Sequence, residues 1–396
     1  MSDRAKKDAD VIVVGAGALG NSVAWHLRQK GKTVLMIEAA AGPACQTTRA
    51  AAGFVVYHSG FHKLSWGREL GVVQSYGIDF YTDLNERCGC DIGYGRVGCA
   101  YIFLTDAWED WQDGIRRTRE YGQEVEIVSK RRAAEVLPFI EYDTTRGIVF
   151  VPGGVRVRAG EAHVALSREM QGRGFDVRWN TPVIGFVRDG DRIDGVTTSA
   201  GEFRADDVVV AAGAWSHKLL NNIGVNCPAE PVVETRFVTS PLSGVTPDMP
   251  MLIFRDWQRF YIREERGGLL LGGGDHVPDE PDRQGDINEP PRTEDIPGDQ
   301  AYRIQRLLGQ VDHVMPMLKE VEIAEIRSGM PTFTEDDLFI MGPAPGLRSL
   351  YVMAGCQESG ITHGPGFGRL IAELIAGQTP FVDPSPYDPA RFDSRW

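Results

Sequence analysis

DVIVVGAGALGNSVAWHLRQKGKTVLMIE, residues 10–38, reads as strand, glycine turn, helix and strand, a βαβ order that sets the kind of fold. Val11 to Val14 is the continuous β-branched run of a parallel strand covered on both faces, and Thr33 to Ile37 repeats it. Val23, Ala24 and Leu27 recur at helical spacing between them, and Gly31 closes the helix. The turn carries Gly15-x-Gly17-x-x-Gly20 in the context that a dinucleotide fingerprint requires. Gly15 permits the tight turn, Gly17 lets a pyrophosphate approach the backbone, and Gly20 lets the helix lie close to the strand. The amides of the first helical turn, at Ala18 and Leu19, together with the helix dipole, would hold the phosphates. Glu38 ends the second strand, 18 residues after Gly20, where a carboxylate accepts hydrogen bonds from an adenosine ribose and disfavours a 2′-phosphate. The fingerprint does not separate NAD from FAD.

Working outward, 396 residues exceed what one core usually organises, so two domains are expected. A formal charge of −13 repels phosphate backbones and anionic membranes, which argues against nucleic acid as a partner. The six cysteines are scattered without metal-ligand spacing, and no metal is expected. Buried free thiols in a reducing cytoplasm account for them. The apolar run Val11–Gly20 follows basic residues as a leader would, but Asp8 and Asp10 abut it and glycines punctuate it. No apolar stretch reaches the ~18 residues of a membrane helix, so no membrane insertion is expected.

Residues 60–145 are helix-prone and aromatic; 153–183 read as a helix ending at Gly174 and then a strand; 196–215 close with a buried strand and a small-residue turn. MLIF, RFYIRE and GLLLGGG beyond Pro231 alternate as strands of an antiparallel sheet. Residues 276–300 are acidic, proline-rich and aperiodic, a long loop of the kind used as a lid or interface. Residues 349–377 return to strand, glycine loop and helix. The expected architecture is α/β: a Rossmann-like dinucleotide domain of glutathione-reductase type from 1–60, 146–230 and 320–396, with a discontinuous antiparallel-sheet substrate domain from 61–145 and 231–319.

Four segments make the chain similar to the D-amino-acid oxidase, sarcosine oxidase and glycine oxidase superfamily of FAD enzymes. Thr47-Thr48-Arg49 to Gly53 resembles the segment that lies along FAD in that family. VVVAAGAWS, 208–216, resembles the strand and turn beneath the adenosine, with Val183, Ala212, Gly213 and Trp215 as contacts. Gly329-Met330-Pro331-Thr332 resembles the stretch beside the flavin. Gly360-Ile361-Thr362, with Pro365 and Gly368 beyond, resembles the C-terminal flavin loop. A helix N-terminus near Gly364 to Gly368 would then present amides to the flavin edge that becomes anionic on reduction. The resemblance implies FAD-dependent oxidation of a small amine or amino acid by hydride transfer from carbon to flavin N5, giving an imine that water hydrolyses.

Departures from the family narrow this. The cysteine that links flavin in sarcosine oxidases is Gly329 here, and no histidine stands near Ala50 as in dimethylglycine dehydrogenases, so FAD is expected to be non-covalent unless another residue, such as Cys356, forms a link. Leu270 replaces a lysine that aids reaction with oxygen, which leaves either oxygen or another electron acceptor open. Met330 replaces an arginine that clamps a carboxylate, and Thr362 replaces a lysine. Arg259, Tyr261 and Arg263 share one strand face, so Tyr261 resembles the substrate-contacting tyrosine of the family and either arginine can supply the clamp. His363 adjoins the flavin loop and either orients the amine and tunes its protonation or packs structurally, with His58 and His62 as further candidates to line the cavity; Glu358, Asp336 and Asp337 read as loop solvation or backbone caps.

Three rival readings stand beside this one: the catalytic subunit of an amine or proline-type dehydrogenase that passes electrons to a partner, a tRNA-modifying FAD module, and an NAD-dependent dehydrogenase. A cytoplasmic location and a homo-oligomer are compatible with the composition.

Overall fold

The computed structural model of the protein describes residues 6–59, 66–104, 108–172, 174–225, 227–255, 260–273, 289–296, 305, 307–309 and 311–395. Its first sheet has six strands in the order Ile340–Pro343, Leu350–Ala354, Asp207–Val210, Val11–Val14, Val34–Ile37 and Phe175–Arg178. All neighbours run parallel except the edge pair Ile340–Pro343 and Leu350–Ala354. The central strand Val11–Val14 and its neighbours are buried on both faces, which explains their unbroken apolar character. Val183–Asp189, Arg192–Thr198 and Gly201–Arg204 form a separate antiparallel meander.

A second sheet has eight strands: Ile323–Gly329, Glu234–Thr239, Gly268–Gly273, Phe260–Glu265, Met251–Phe254, Cys99–Phe103, Gly147–Val151 and Glu126–Ile127. It is antiparallel throughout except where Met251–Phe254 runs parallel to Cys99–Phe103. Two of its strands, Gly147–Val151 and Ile323–Gly329, come from segments that the sequence division assigns to the dinucleotide unit. One face carries Phe237, Leu252, Phe254, Ile262 and Leu271 into a core with Leu307, Val311 and Leu318. The other carries Tyr101, Ile253 and Tyr261 toward the first sheet. A one-residue shift of register would exchange these faces, so burial on the apolar side fixes the aim of the other.

Three helices pack beside the parallel sheet: Ala18–Gln29, Arg68–Arg87 and Gly360–Ile375. In Arg68–Arg87 the residues Leu70, Val73, Gln74, Gly77, Tyr81 and Leu84 recur at three- and four-residue spacing and are buried. The glycines of the last helix have a packing cause. A Cβ on Gly366 would lie 2.7 Å from Val73 Cγ1, and one on Gly368 would lie 2.6 Å from the Ser22 carbonyl carbon. The helix therefore begins at Gly360, and Gly364 to Gly368 belong to its interior. The N-terminus expected near Gly364 lies about one turn earlier, because these glycines serve close helix contact.

Gly77 completes this packing: a Cβ there would fall 2.0 Å from the Thr362 carbonyl oxygen. Gly77→Ala should destabilise the protein by about 1–3 kcal/mol through overpacking, despite alanine's better helix propensity. Thermal unfolding checks this; an unchanged or raised melting temperature would contradict the contact.

Candidate active site

Between the two sheets lies a cavity of about 520 Å³ whose lining runs from Glu38, Pro182 and Val183 past Gly15, Gly17, Ala212 and Gly213 to Met330, Gly360 and Ile361. Gly15 has φ +101, and a Cβ there would lie 2.5 Å from the Ala211 carbonyl oxygen. Gly20 is closer still: a Cβ would meet the Gly15 carbonyl oxygen at 1.9 Å. These contacts let the turn fold under the helix and bring Gly17, Ala18 and Leu19 to the cavity, although the Ala18 amide expected for a phosphate is taken by Thr48 Oγ1. The Ala18–Gln29 helix starts at Gly17 without a side-chain cap and has no acid in its first turn. Gly360–Ile375 likewise starts without a side-chain cap and without an acid in its first turn, and Gly360 and Ile361 line the same cavity. Two positive helix ends thus converge on one space, an arrangement suited to an anionic dinucleotide.

The walls are cross-braced. Ala18 N–H donates to Thr48 Oγ1 at 2.9 Å, Met330 N–H donates to Thr47 Oγ1 at 3.0 Å, and Thr47 donates back to the Met330 carbonyl at 3.2 Å. Glu38 accepts from Ala16 N–H at 2.6 Å and from Ala40 N–H at 2.8 Å, which fixes its carboxylate at the end of its strand. At the rim, Gln46 accepts from Thr293 N–H at 3.0 Å, Trp215 donates to the Pro290 carbonyl at 3.1 Å, and Arg292 joins the lining. The described part of the long acidic loop, 289–296, therefore lies against the cavity; the rest of that loop lies outside the described residues.

A second cavity of about 130 Å³ adjoins the first, and the two share Ala51, Arg236, Glu358 and Ile361. Its floor is a cross-strand row of the eight-stranded sheet, in which Arg236 pairs with Gly272, Gly272 with Tyr261, and Tyr261 with Ile253. A Cβ on Gly272 would sit 2.4 Å from the Tyr261 hydroxyl, so the glycine opens the gap across which tyrosine reaches arginine. Arg236 Nε donates to Tyr261 Oη at 2.8 Å, and its Nη2 pairs with Glu358 Oε1 at 2.5 Å. Tyr261 donates to the same carboxylate oxygen at 3.1 Å. Burial opposes the charge on Arg236, but Tyr261 and Glu358 outweigh it and hold its pKa above the usual arginine value. Burial, opposed by Arg236, raises the Tyr261 phenol well above its usual range.

Arg255, His58 and Trp66 complete the polar and aromatic wall. Arg255 lies over the Trp111 ring at 4.3 Å. His58 contacts Tyr101 Oη through Nδ1 at 3.1 Å, and burial, with His363 and Arg255 nearby, pushes its pKa down to about 3. His363 is fully buried between the Trp66 and Phe339 rings and lines neither cavity. Its Nδ1 meets the Ser359 carbonyl at 3.0 Å and its Nε2 meets Gln74 Nε2 at 3.0 Å, so Nδ1 carries the proton and Nε2 accepts. Gln74 Oε1 accepts from the His58 and Ser59 amides at 2.9 and 3.0 Å. His363 therefore supports the loop that carries His58, rather than facing the amine.

Most of the residues singled out in the sequence line the first cavity: Gly15, Gly17, Ala18, Leu19, Glu38, Thr47, Thr48, Val183, Ala212, Gly213, Trp215, Met330, Gly360 and Ile361. Gly20 and Gly329 act behind it; a Cβ on Gly329 would lie 3.1 Å from Ala50 Cβ, where the strand meets the Thr47–Ala50 helix. Thr362 lines the second cavity, and Tyr261 stands where the strand alternation places it. Arg49 is corrected: Thr47 and Thr48 turn inward, and the next helical position turns out to solvent. Arg263 is corrected as a clamp: it is fully buried and engaged by the Ala52 and Glu264 carbonyls and, at 2.6 Å, by Glu265. Arg259 and His62 lie outside the described residues. Asp336 is a cap, accepting from Leu338 N–H at 3.1 Å and pairing with Arg391 at 2.7 Å. Glu358 is not loop solvation, since it closes the Arg236–Tyr261 cluster. Arg236 and Arg255 were not singled out in the sequence. Arg236 sits in a strand whose register against Gly272 only the folded sheet reveals.

A family model described as "FAD dependent oxidoreductase" matches residues 10–374. The chain is 28% identical over 390 residues to 4-methylaminobutanoate oxidase (formaldehyde-forming) of Paenarthrobacter nicotinovorans, covering 96% of this chain but 45% of that protein. It is 28% identical to a glycine oxidase of Pseudomonas aeruginosa, covering 96% of this chain and 98% of that one. Human mitochondrial dimethylglycine dehydrogenase is 27% identical, and again the match spans 45% of its length. The crystal structure of glycine oxidase from Geobacillus kaustophilus superposes with a TM-score of 0.81 at 25% identity, covering 97% of this chain and 98% of that one. Among the described residues no helix is long and apolar enough to cross a membrane, and no group of His, Cys, Asp and Glu is placed to hold a metal.

The buried imidazoles give a pH dependence. Burial lowers His26 and His58 to about 3 and His163 and His363 to about 4, against an ordinary 6.5. Their folded-state pKa values are depressed, so as pH falls the unfolded chain takes up protons first. Stability from these groups is full above about 6.5 and is lost as pH drops from there toward 4. The melting temperature should therefore fall over that window, and His363→Gln should make the slope shallower; an identical slope in the variant would contradict the buried neutral state.

Proposed function

We propose that this chain, which belongs to the family of FAD-dependent oxidoreductases, oxidises a small amine or amino acid at the carbon bearing nitrogen. The observation that carries this reading is the second cavity: it is small, charged on both signs, and opens on the first at Ala51, Arg236, Glu358 and Ile361. The converging helix ends and the glycine cradle fit FAD, with Glu38 toward the ribose and Gly360 and Ile361 toward the ring. FAD, when bound, supplies the acceptor for a hydride, and water hydrolyses the resulting imine to a carbonyl compound and an amine.

The residues of the chain have defined tasks in this reading. Tyr261 and Ile253 floor the substrate space and Phe54, edge-on to Tyr261 at 5.3 Å, closes one side and excludes water. His58 is held neutral, so it adds no positive charge against an amine. The uncapped start of the Gly360–Ile375 helix stabilises negative charge that arises on reduction. Arg255 takes the clamp role expected of the neighbouring arginines, because it lines the second cavity and Arg263 lines neither. A second reading, transfer of electrons to a partner rather than to oxygen, draws on Leu270 standing where the resembled family has a lysine that aids reaction with oxygen.

Anaerobic mixing of the yellow protein with N-methyl amino acids, D-amino acids, cyclic imino acids and simple amines should bleach the flavin with at least one class; no bleaching by any would overturn the reading. Oxygen uptake much slower than dye reduction would select the second reading. Acid precipitation should release FAD into the supernatant, since Gly329 and Ala50 offer no linking atom; a yellow pellet would contradict this and point to a link at another residue such as Cys356, which lines the first cavity. Arg255→Met should raise the KM of carboxylated substrates by about 10–100-fold, the size of one charge-assisted hydrogen bond, and leave amines without a carboxylate unaffected. Equal effects on both would remove Arg255 from the clamp role.

A further inference from the structure

Resting on FAD as the occupant of the first cavity, a part of the reading above that does not depend on the amine, we infer that Arg292 is the cation that binds the FAD diphosphate. Residues 289–296 carry it there as a strap over the glycine turn. The turn lacks a cation of its own. Thr48 Oγ1 takes the Ala18 amide at 2.9 Å, and Arg49, next to the two inward threonines, points out to solvent. Arg236, also in the cavity lining, is committed to Glu358 at 2.5 Å. A helix start offers only a partial positive charge, so a dianionic group leaving water needs a further donor.

Topology places the strap. Val34–Ile37 and Asp207–Val210 flank the central strand Val11–Val14, so the chain that leaves each of them flanks the glycine turn, with Gln46 on one side and Trp215 on the other. The strap is tied to both. Trp215 Nε1 donates to the Pro290 carbonyl at 3.1 Å, and Thr293 donates to Gln46 Oε1 from its N–H and its Oγ1, each at 3.0 Å. Three residues reach at most about 10 Å, so the chain between these anchors crosses the gap directly. The ends are fastened as well, by Lys218 on Glu289 at 2.5 Å and by Ile296 packed on Ala214, Val233 and Met330. Among the described strap residues Arg292 alone lines the cavity, whereas the carboxylates Glu289, Glu294 and Asp295 do not. Its printed partner is Glu294 at 3.4 Å, and both side chains are 54% exposed, a pairing too weak in water to hold the guanidinium from a diphosphate that it matches bidentately.

The test uses the FAD-loaded protein, with release of FAD on dilution read as the rise of free-flavin fluorescence at about 20 mM and about 1 M salt. Arg292→Gln should weaken FAD retention about 10-fold at low salt, and Arg292→Lys should restore part of it. The gap should close at high salt, because a half-exposed charge is screened there and a loss of packing is not. Gln46→Ala, which unties the strap, should cost a similar factor, and adding Arg292→Gln to it should cost little more. Wild-type retention in Arg292→Gln, or a loss identical at both salts and shared in full by Arg292→Lys, overturns the assignment; full additivity with Gln46→Ala overturns the part played by the strap. Flavin bleaching by amines is scored separately on the same proteins. Its absence where FAD is retained removes the proposed oxidation, whereas bleaching with equal retention in every variant removes Arg292 alone.

Discussion

Close backbone contact, which only glycine allows, underlies the whole arrangement. Gly20 lies against the Gly15 carbonyl, and Gly366 and Gly368 lie against Val73 and Ser22. These contacts dock the helices that begin at Ala18 and Gly360 so tightly that both uncapped starts face one cavity. A Cβ at any of these points would push a helix away by more than van der Waals tolerance, and the dipole of that helix would no longer converge with the other. Packing and electrostatics are one constraint here: the missing side chains let the helices approach, and that approach brings both helix starts to one cavity.

The second sheet supplies what the helices cannot, a patterned polar wall. Its apolar face fixes the register, and the opposite face then aligns Arg236, Gly272, Tyr261 and Ile253 in a single row. Within this row Gly272 is the gap that lets a phenol touch a guanidinium. Glu358 arrives from the loop before the last helix and joins that pair, so the C-terminal segment reaches both cavities through adjacent residues. Neutral imidazoles behind the wall, His363 through Gln74 to the His58 loop, brace it without adding charge.

The dinucleotide half was readable because its chemistry is local. Strand, glycine spacing, helix and Glu38 lie within thirty residues, and Thr47, Thr48, Met330 and Ile361 sit in short segments of recognisable composition. What failed to read was direction and register. Arg49 follows two inward threonines yet points out, since one helical step rotates a side chain by about 100°. Arg263 shares its strand face with Tyr261, as alternation requires, but Glu265 and two carbonyls claim it before any ligand does. Arg236 and Glu358 are 122 residues apart, and nothing along the chain announces that they meet. Gly366 and Gly368, which read as the start of a helix at the flavin, are close helix contacts, because a glycine's neighbour across space leaves no trace in its own sequence.

The central claim is that the reactive end of FAD lies where the two cavities join. A crystal structure of the FAD-loaded protein measures this directly. The account predicts the isoalloxazine ring bounded by Ala51, Glu358, Gly360 and Ile361, with the adenosine toward Glu38 and Val183. A ring found at the Glu38 end, or separated from the Arg236–Tyr261–Glu358 cluster by intact protein, would contradict it.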